Sequence, residues 1–369
     1  MARVRVFFLV ADLSGGGAQR VVITMLSNLD RHRIEPILVL SRSAGEFLSS
    51  VPADVPILTL GRKGRSSLPK MIIRLAILIR HYRPHVILGF LLHSNALAVI
   101  GKIVSLRLGT KIIVSEHVSE LGYRKLPLYR LIRQATYPLA TAIVAVAHGV
   151  KLDLSKHVRW IGRKLAVIHN PIDIEAVRSR AQEGPGLGSD LPNVIMVARL
   201  TNKQKAGDLL LNAFAGVAKK VPARLTFVGD GPDLAALRRQ AENLGIARVV
   251  NFMGFRENPF PLVRSADVFV LPSRYEGFGC VLIEAMCLGV PVVATDCPHG
   301  PAEILLDGNN GILVPIGDED ALRDAILRLL MDPVLRANVA RAGLERAESF
   351  RPVHAISAYQ ELISRCAGI

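Results

Sequence analysis

The chain has 369 residues, with 46 lysines and arginines against 31 aspartates and glutamates, a formal net charge of +15. That length suits two domains better than one core, and 50% hydrophobic residues exclude a disordered chain. No apolar run reaches the roughly eighteen residues of a membrane span, and the positive balance favours anionic partners such as nucleic acid, phosphorylated substrates or an anionic membrane surface.

Val4–Val10 reads as a buried first strand and not as a secretion signal, because Asp12 interrupts it and Ser14-Gly15-Gly16-Gly17 follows. That glycine run opens a helix, the position of a phosphate-cradling turn. It fails the dinucleotide fingerprint: Arg20 stands where glycine or alanine is required, and no acidic ribose partner follows about twenty residues on. Strands are then expected at Glu35–Leu40, His85–Leu88, Lys111–Ser115 and Ala142–Ala147, alternating with helices at Ala18–Leu29, Leu68–His81 and Asn95–Leu108. Such alternation implies a parallel sheet covered on both faces. The pattern breaks near Asn170-Pro171, and residues 173–190, ending in Gln182-Glu183-Gly184-Pro185-Gly186-Leu187-Gly188-Ser189-Asp190, read as a linker.

A second series follows. Strands are expected at Asn193–Val197, Arg224–Val228, Val249–Phe252, Val268–Leu271 and Val290–Ala294. Helices are expected at Lys205–Lys219, Leu234–Asn243, Cys280–Leu288, Asp320–Met331, Val334–Glu348 and Val353–Arg365. Both halves are thus doubly wound α/β domains with a cleft between them, and ligands of such sheets bind at the carboxyl ends of the strands. The four cysteines, Cys280, Cys287, Cys297 and Cys366, match no zinc spacing and read as reduced packing residues.

Two groups of residues carry chemistry. Arg199 and Lys205 follow a strand and enter a helix, where a planar fork and a mobile ammonium can neutralise one diphosphate. Glu276 and Glu284 stand eight residues apart around Gly277-Phe278-Gly279. With a helix starting near Gly279, one carboxylate sits at the helix mouth and the other roughly two turns, about 10 Å, away. The unpaired N–H groups of that helix suit an anion, and the two acceptors suit the hydroxyls of two sugar rings. A nucleotide sugar has that shape.

These segments resemble glycosyltransferase family 4, the retaining enzymes of GT-B fold. The likeness runs through Gly15–Arg20, Ser115-Glu116-His117, Val167–Asp173, Ala198-Arg199-Leu200, Phe227–Pro232 and Met253–Arg256. It is strongest from Ser273 to Met286 and from Gly289 to Asp296. The resemblance implies an N-terminal acceptor-binding domain (1–172), a C-terminal nucleotide-sugar domain (191–350) and a last helix (351–369) packing back on the first. It gives Glu276 the donor-sugar hydroxyls, beside the Gly277, Phe278 and Gly279 amides. Glu284 receives the ribose, Arg199 and Lys205 the diphosphate, and Gly16 and Gly17 a backbone phosphate contact. His117 is placed near the transferred sugar, orienting it. Gly279-Cys280 departs from many relatives, which carry Pro-x or Leu-x there.

No Asp-x-Asp stands at a strand end, so neither metal nor cofactor is expected, and Arg199, Lys205 and the helix dipole must stabilise the leaving diphosphate. Retention without a placed nucleophile implies a front-face route. The expected reaction moves a hexose or N-acetylhexosamine from a nucleotide sugar, by resemblance UDP-linked, to a lipid-linked or polysaccharide acceptor. Basic and apolar residues mix in Arg62–Arg83 and Leu121–Arg133, a composition of interfacial helices, so a cytoplasmic protein peripheral on the inner membrane face is expected. The alternatives are an epimerase or hydrolase of UDP-sugars and a nucleic-acid binder. Nucleic acid is not expected, because no recognition motif with interleaved aromatics appears. The failed fingerprint disfavours an NAD enzyme.

Overall fold

The structure is a computed structural model that describes residues 3–123, 127–188 and 190–368. It comprises two compact units, Met1–Pro171 with Pro352–Ile369, and Ile172–Arg351. Among the described residues no helix is long and apolar enough to cross a membrane.

The first unit is built on a parallel sheet of β1 (Val4–Val10), β2 (Ile34–Leu40), β3 (Ile57–Thr59), β4 (Val86–Phe90), β5 (Lys111–Glu116), β6 (Ala142–Ala145) and β7 (Leu165–Val167), in the order β3-β2-β1-β4-β5-β6-β7. Its central strands are apolar on both faces, as a sheet covered twice requires; β1 pairs in register with β2 (Val4 with Ile34) and β4 (Val6 with Val86). Helix Leu68–Tyr82 buries Met71, Leu75 and Ile79, spaced at i and i+4. Its outer face presents Ile73 and Ile77 beside Lys70 and Arg74. Helix Pro352–Ala367 puts Ala355, Ile356, Tyr359, Leu362 and Ile363 into the same core as Val6, Phe8 and Met25.

The second unit has six parallel strands, β8 (Asn193–Val197), β9 (Arg224–Val228), β10 (Val250–Phe252), β11 (Val268–Leu271), β12 (Val292–Thr295) and β13 (Ile312–Val314), in the order β10-β9-β8-β11-β12-β13. Each sheet winds outward from its first strand and then restarts on that strand's other side. The direction therefore reverses between β1 and β4 and again between β8 and β11. Such switch points open a crevice at the carboxyl ends of the strands.

The structure departs from the sequence expectations at three places that matter. Residues 173–190 begin with a helix, Ile174–Arg180, inside the second unit. Asp173 caps it by accepting the Ala176 N–H at 3.0 Å, and Ile174 and Val177 are buried. The helix expected at Lys205–Lys219 is two helices, Asn202–Lys205 and Gly207–Ala218, separated by Ala206 at φ 50°. Within the basic stretch Leu121–Arg133, Arg133 is buried in helix Pro127–Thr136, leaving Leu128, Arg130 and Leu131 outward; Arg124, Lys125 and Leu126 lie outside the described residues.

Candidate active site

In the second unit the candidate residues fall on the two strands that flank the switch point. Arg199 follows β8 by two residues, and the short helix Asn202–Lys205 ends on Lys205. From the end of β11 come Ser273 to Gly279. Four bonds from Arg274 join these segments. Its backbone N–H donates to Gln204 O at 2.7 Å. Its guanidinium donates to Asn202 O and forms a fork with Asp208 at 2.9 and 3.0 Å. The left-handed Ala206 is the cost of turning Lys205 out of the following helix, and strain of this kind gathers at functional positions.

Lys205 thereby reaches Glu276, Nζ to Oε1 at 2.5 Å, with side chains 17% and 6% exposed. Ser273 Oγ donates to the same carboxylate oxygen at 2.7 Å, and Thr295 Oγ1 donates to Ser273 O at 2.5 Å. The carboxylate is thus neutralised and aimed without a ligand. Arg199 differs: it is exposed, and no described residue pairs with its guanidinium. A bare cation and a balanced ion pair stand at one switch point.

The loop between Glu276 and the next helix is fixed from below. Glu276 N donates to Pro298 O at 3.2 Å. Gly300, at φ 97°, lies so close that a Cβ there would stand 1.8 Å from Phe278 O, a place only glycine fits. The Phe278 ring turns inward, edge-on to Phe350 at 5.7 Å, so only its backbone can face a ligand. Gly279, at φ 99°, turns the chain into helix Cys280–Met286. The Gly277 and Gly279 N–H groups donate to no other described residue.

Glu284 stands four residues into that helix and is buried. Only about one turn, roughly 6 Å of rise, therefore separates it from the helix start. The expected two turns overcounted, because half of the eight-residue interval is loop. Next to it, burial pushes the Cys287 thiol up to about 12, and burial does the same to Cys297. Both thiols are protonated packing groups, and all four cysteines are free.

In the first unit, Gly16 and Gly17 lie at the carboxyl end of β1, where helix Gly17–Asn28 begins. Gly15 N donates to Glu46 Oε2 at 2.7 Å, which ties the loop down, and the Gly16 and Gly17 N–H groups donate to no described residue. His117 follows β5. Its Nε2 lies 2.9 Å from Ser115 Oγ, its ring lies 5.7 Å from Phe90, and its Nδ1 is buried without a partner. Burial lowers its pKa to about 4, so the ring is neutral.

Beneath His117 is a network that the sequence did not disclose. Glu116 is wholly buried and accepts from the His117 and Val118 N–H groups at 3.2 and 3.3 Å. Tyr137 Oη donates to it at 2.7 Å, and Arg133 joins it (3.9 Å) to Glu120 (2.6 Å). Ser-Glu-His at a strand end is a visible signal, but Arg133 lies in a segment whose composition suggests a surface, and nothing in the sequence singles out Tyr137. His93, the other histidine of this region, is exposed and stacks edge-on with Tyr129 at 5.2 Å.

The family model described as Glycosyltransferase Family 4 matches residues 15–176, and that described as Glycosyl transferases group 1 matches residues 191–332. A GDP-mannose-dependent alpha-(1-6)-phosphatidylinositol monomannoside mannosyltransferase of Mycolicibacterium smegmatis is 33% identical over 265 residues, covering 67% of this chain and 68% of that protein. An N-acetylgalactosamine-N,N'-diacetylbacillosaminyl-diphospho-undecaprenol 4-alpha-N-acetylgalactosaminyltransferase of Campylobacter jejuni is 27% identical over 358 residues, 93% of this chain and 95% of that one. Among solved structures, Anabaena Alr3699/HepE in complex with UDP and glucose superposes with a TM-score of 0.81 at 20% identity, covering 98% of this chain and all of that one.

Proposed function

The chain belongs to glycosyltransferase family 4 and is a glycosyltransferase of GT-B fold, and from that premise we propose that it moves a hexose or N-acetylhexosamine from a UDP-sugar to a lipid-linked or polysaccharide acceptor, with retention. The observation that carries this reading is the triad at the second sheet's switch point: bare Arg199, and Lys205 paired to a buried, aimed Glu276. A diphosphate takes Arg199 and Lys205. The Glu276 carboxylate so released accepts the donor-sugar hydroxyls, with the Gly277, Phe278 and Gly279 amides beside it. Glu284 takes the ribose hydroxyls, the Gly16 and Gly17 amides a phosphate oxygen, and the neutral His117 orients the sugar.

In the front-face route the bond from the sugar's anomeric carbon to the phosphate oxygen breaks as the acceptor oxygen bonds to the same face. The acceptor's proton passes to the leaving phosphate oxygen. Arg199 and Lys205 stabilise the charge growing on the diphosphate, a fixed-cation role otherwise filled by a metal. The acceptor class is supported by the relatives: the named acceptors of the mycobacterial and Campylobacter enzymes are a phosphatidylinositol glycolipid and an undecaprenol diphosphate. A peripheral position on the inner membrane face is supported by the exposed Ile73 and Ile77 beside Lys70 and Arg74. The GDP-mannose dependence of the 33% identical relative makes GDP-mannose the second donor reading. Incubation of the protein with radiolabelled UDP-sugars or GDP-mannose and a membrane extract tests both. Label moved into lipid from a UDP-sugar and undiminished by a chelator is expected. Label from GDP-mannose alone selects the second donor, and no transfer from any donor overturns the proposal.

A further inference from the structure

The protons around His117 can be counted. Its Nε2 lies 2.9 Å from Ser115 Oγ, which lies 3.3 Å from the Tyr359 hydroxyl, longer than the usual O–H···O separation. Tyr359 comes from helix Pro352–Ala367, the segment that returns to the first unit after the chain has built the second. Ser115 and Tyr359 are fully buried, and the Tyr359 hydroxyl has no other partner among the described residues. Burial raises the tyrosine's pKa to about 12, so its proton stays.

A neutral imidazole carries one N–H and a hydroxyl oxygen can accept twice; were Ser115 Oγ to accept from both Nε2–H and Tyr359, its own O–H and the Nδ1 lone pair would both lack partners, and two other arrangements remain to compare. In the first, the Tyr359 O–H donates to Ser115 Oγ and the Ser115 O–H donates to Nε2; both hydroxyls are satisfied and only the Nδ1–H, itself buried, is left without a partner. In the second, Nε2–H donates to Ser115, whose O–H donates to Tyr359; the Tyr359 proton and the Nδ1 lone pair are then both stranded in the interior. The first arrangement strands one buried polar group, the Nδ1–H, and the second strands two, so the first prevails.

We propose that Tyr359 is a positioning residue that, through Ser115, fixes His117 in its Nδ1–H tautomer, so that the ring's unpaired nitrogen donates a hydrogen bond and cannot accept a proton. The inference rests on the reading that His117 orients the transferred sugar, and it specifies how: the ring recognises an oxygen lone pair on the ligand. The last helix thereby sets a property of the first unit's candidate site.

Long-range proton–nitrogen spectra of the full chain, labelled with nitrogen-15 in histidine, test it directly, with His117 assigned from His117→Asn. The parent should show a protonated Nδ1 and a bare Nε2. Tyr359→Phe removes only the oxygen, and Ser115→Ala removes the relay; each should raise the Nε2–H form to a major species. In Tyr359→Phe, kcat should fall about tenfold, the loss expected of one misdirected hydrogen bond, with donor KM nearly unchanged. A parent already in the Nε2–H form, or a tautomer indifferent to Tyr359→Phe, overturns the proposal. Should the tautomer respond while His117→Asn turns over like the parent, the relay stands and the role of His117 in transfer falls.

Discussion

Glu276→Gln tests whether the buried ion pair is there for the ligand or for the fold. Glutamine keeps the size and one acceptor oxygen, so Ser273 and Lys205 retain a neutral partner while the charge is lost. Removing one member of a buried pair costs about 3–5 kcal/mol. Lys205 keeps 17% exposure, so water recovers part of this, and we expect about 1–3 kcal/mol, a fall in Tm of roughly 3–10 °C. The catalytic loss should be larger. Two charge-assisted bonds to sugar hydroxyls at about 1.5–3 kcal/mol each amount to roughly 10²–10⁴-fold in kcat/KM. Adding Lys205→Met removes the stranded cation, so the double variant should regain stability but not turnover. The assay is label transfer from the donor alongside thermal unfolding. Turnover of Glu276→Gln within about threefold of the parent, or recovery of activity together with stability in the double variant, would refute the ligand role and leave the pair a fold element.

Arg199→Ala should lower kcat/KM by about 10²–10³-fold with Tm unchanged, since on the proposed reading the exposed guanidinium serves the diphosphate and the charge growing on it; a matching loss of Tm would show a structural role. His117 titrates at about 4 when folded and near 6.5 when unfolded. The unfolded chain therefore takes up the proton first as pH falls. The ring's contribution is complete above 6.5 and lost between 6.5 and 4, about 3 kcal/mol in all. His117→Asn should flatten that part of the pH–Tm curve, and an unchanged slope would contradict it. Ile73→Ser with Ile77→Ser should weaken binding to anionic liposomes about tenfold or more at unchanged Tm, as two large side chains stop burying apolar surface. Absence of salt-sensitive vesicle binding in the parent would end the membrane reading.

Much of the fold was legible because its central strands are continuous apolar runs closed by polar residues. β1, β8, β9 and β11 have the limits their sequences suggest. β3, β7 and β13, three residues each, were not seen; a run that short has no period, and only pairing to a neighbour makes it a strand. The break at Ala206 was invisible for a related reason. Alanine favours helix, and what overrides it is Arg274, 68 positions away, holding Asn202 and Asp208. Spacing picked out Glu276 and Lys205 as separate candidates, yet nothing local says that they are each other's partner. Arg133 is the converse case. Its neighbours Arg130, Leu128 and Leu131 face outward, and Glu116 and Glu120 on other elements draw it inside.

These misses share a physical origin, and it bears on the chemistry. A cation and a carboxylate are stable in a buried site only when each offsets the other's desolvation, so a site that must receive a diphosphate and a sugar needs a counter-charge while empty. The Lys205–Glu276 pair supplies it from two strands that meet only at the sheet's reversal. On the proposed reading donor binding exchanges partners: the diphosphate replaces Glu276 against Lys205, and the sugar hydroxyls hydrogen-bond the carboxylate that Lys205 releases. Neither group is left without a hydrogen-bonding partner in that exchange, and the dipoles around it, fixed by Ser273, Thr295 and the glycine-bound loop, need not reorganise. Electrostatic stabilisation is strongest under that condition. An ion pair that competes with the ligand lowers raw donor affinity, and the site accepts that loss in return for arriving at the reaction already oriented.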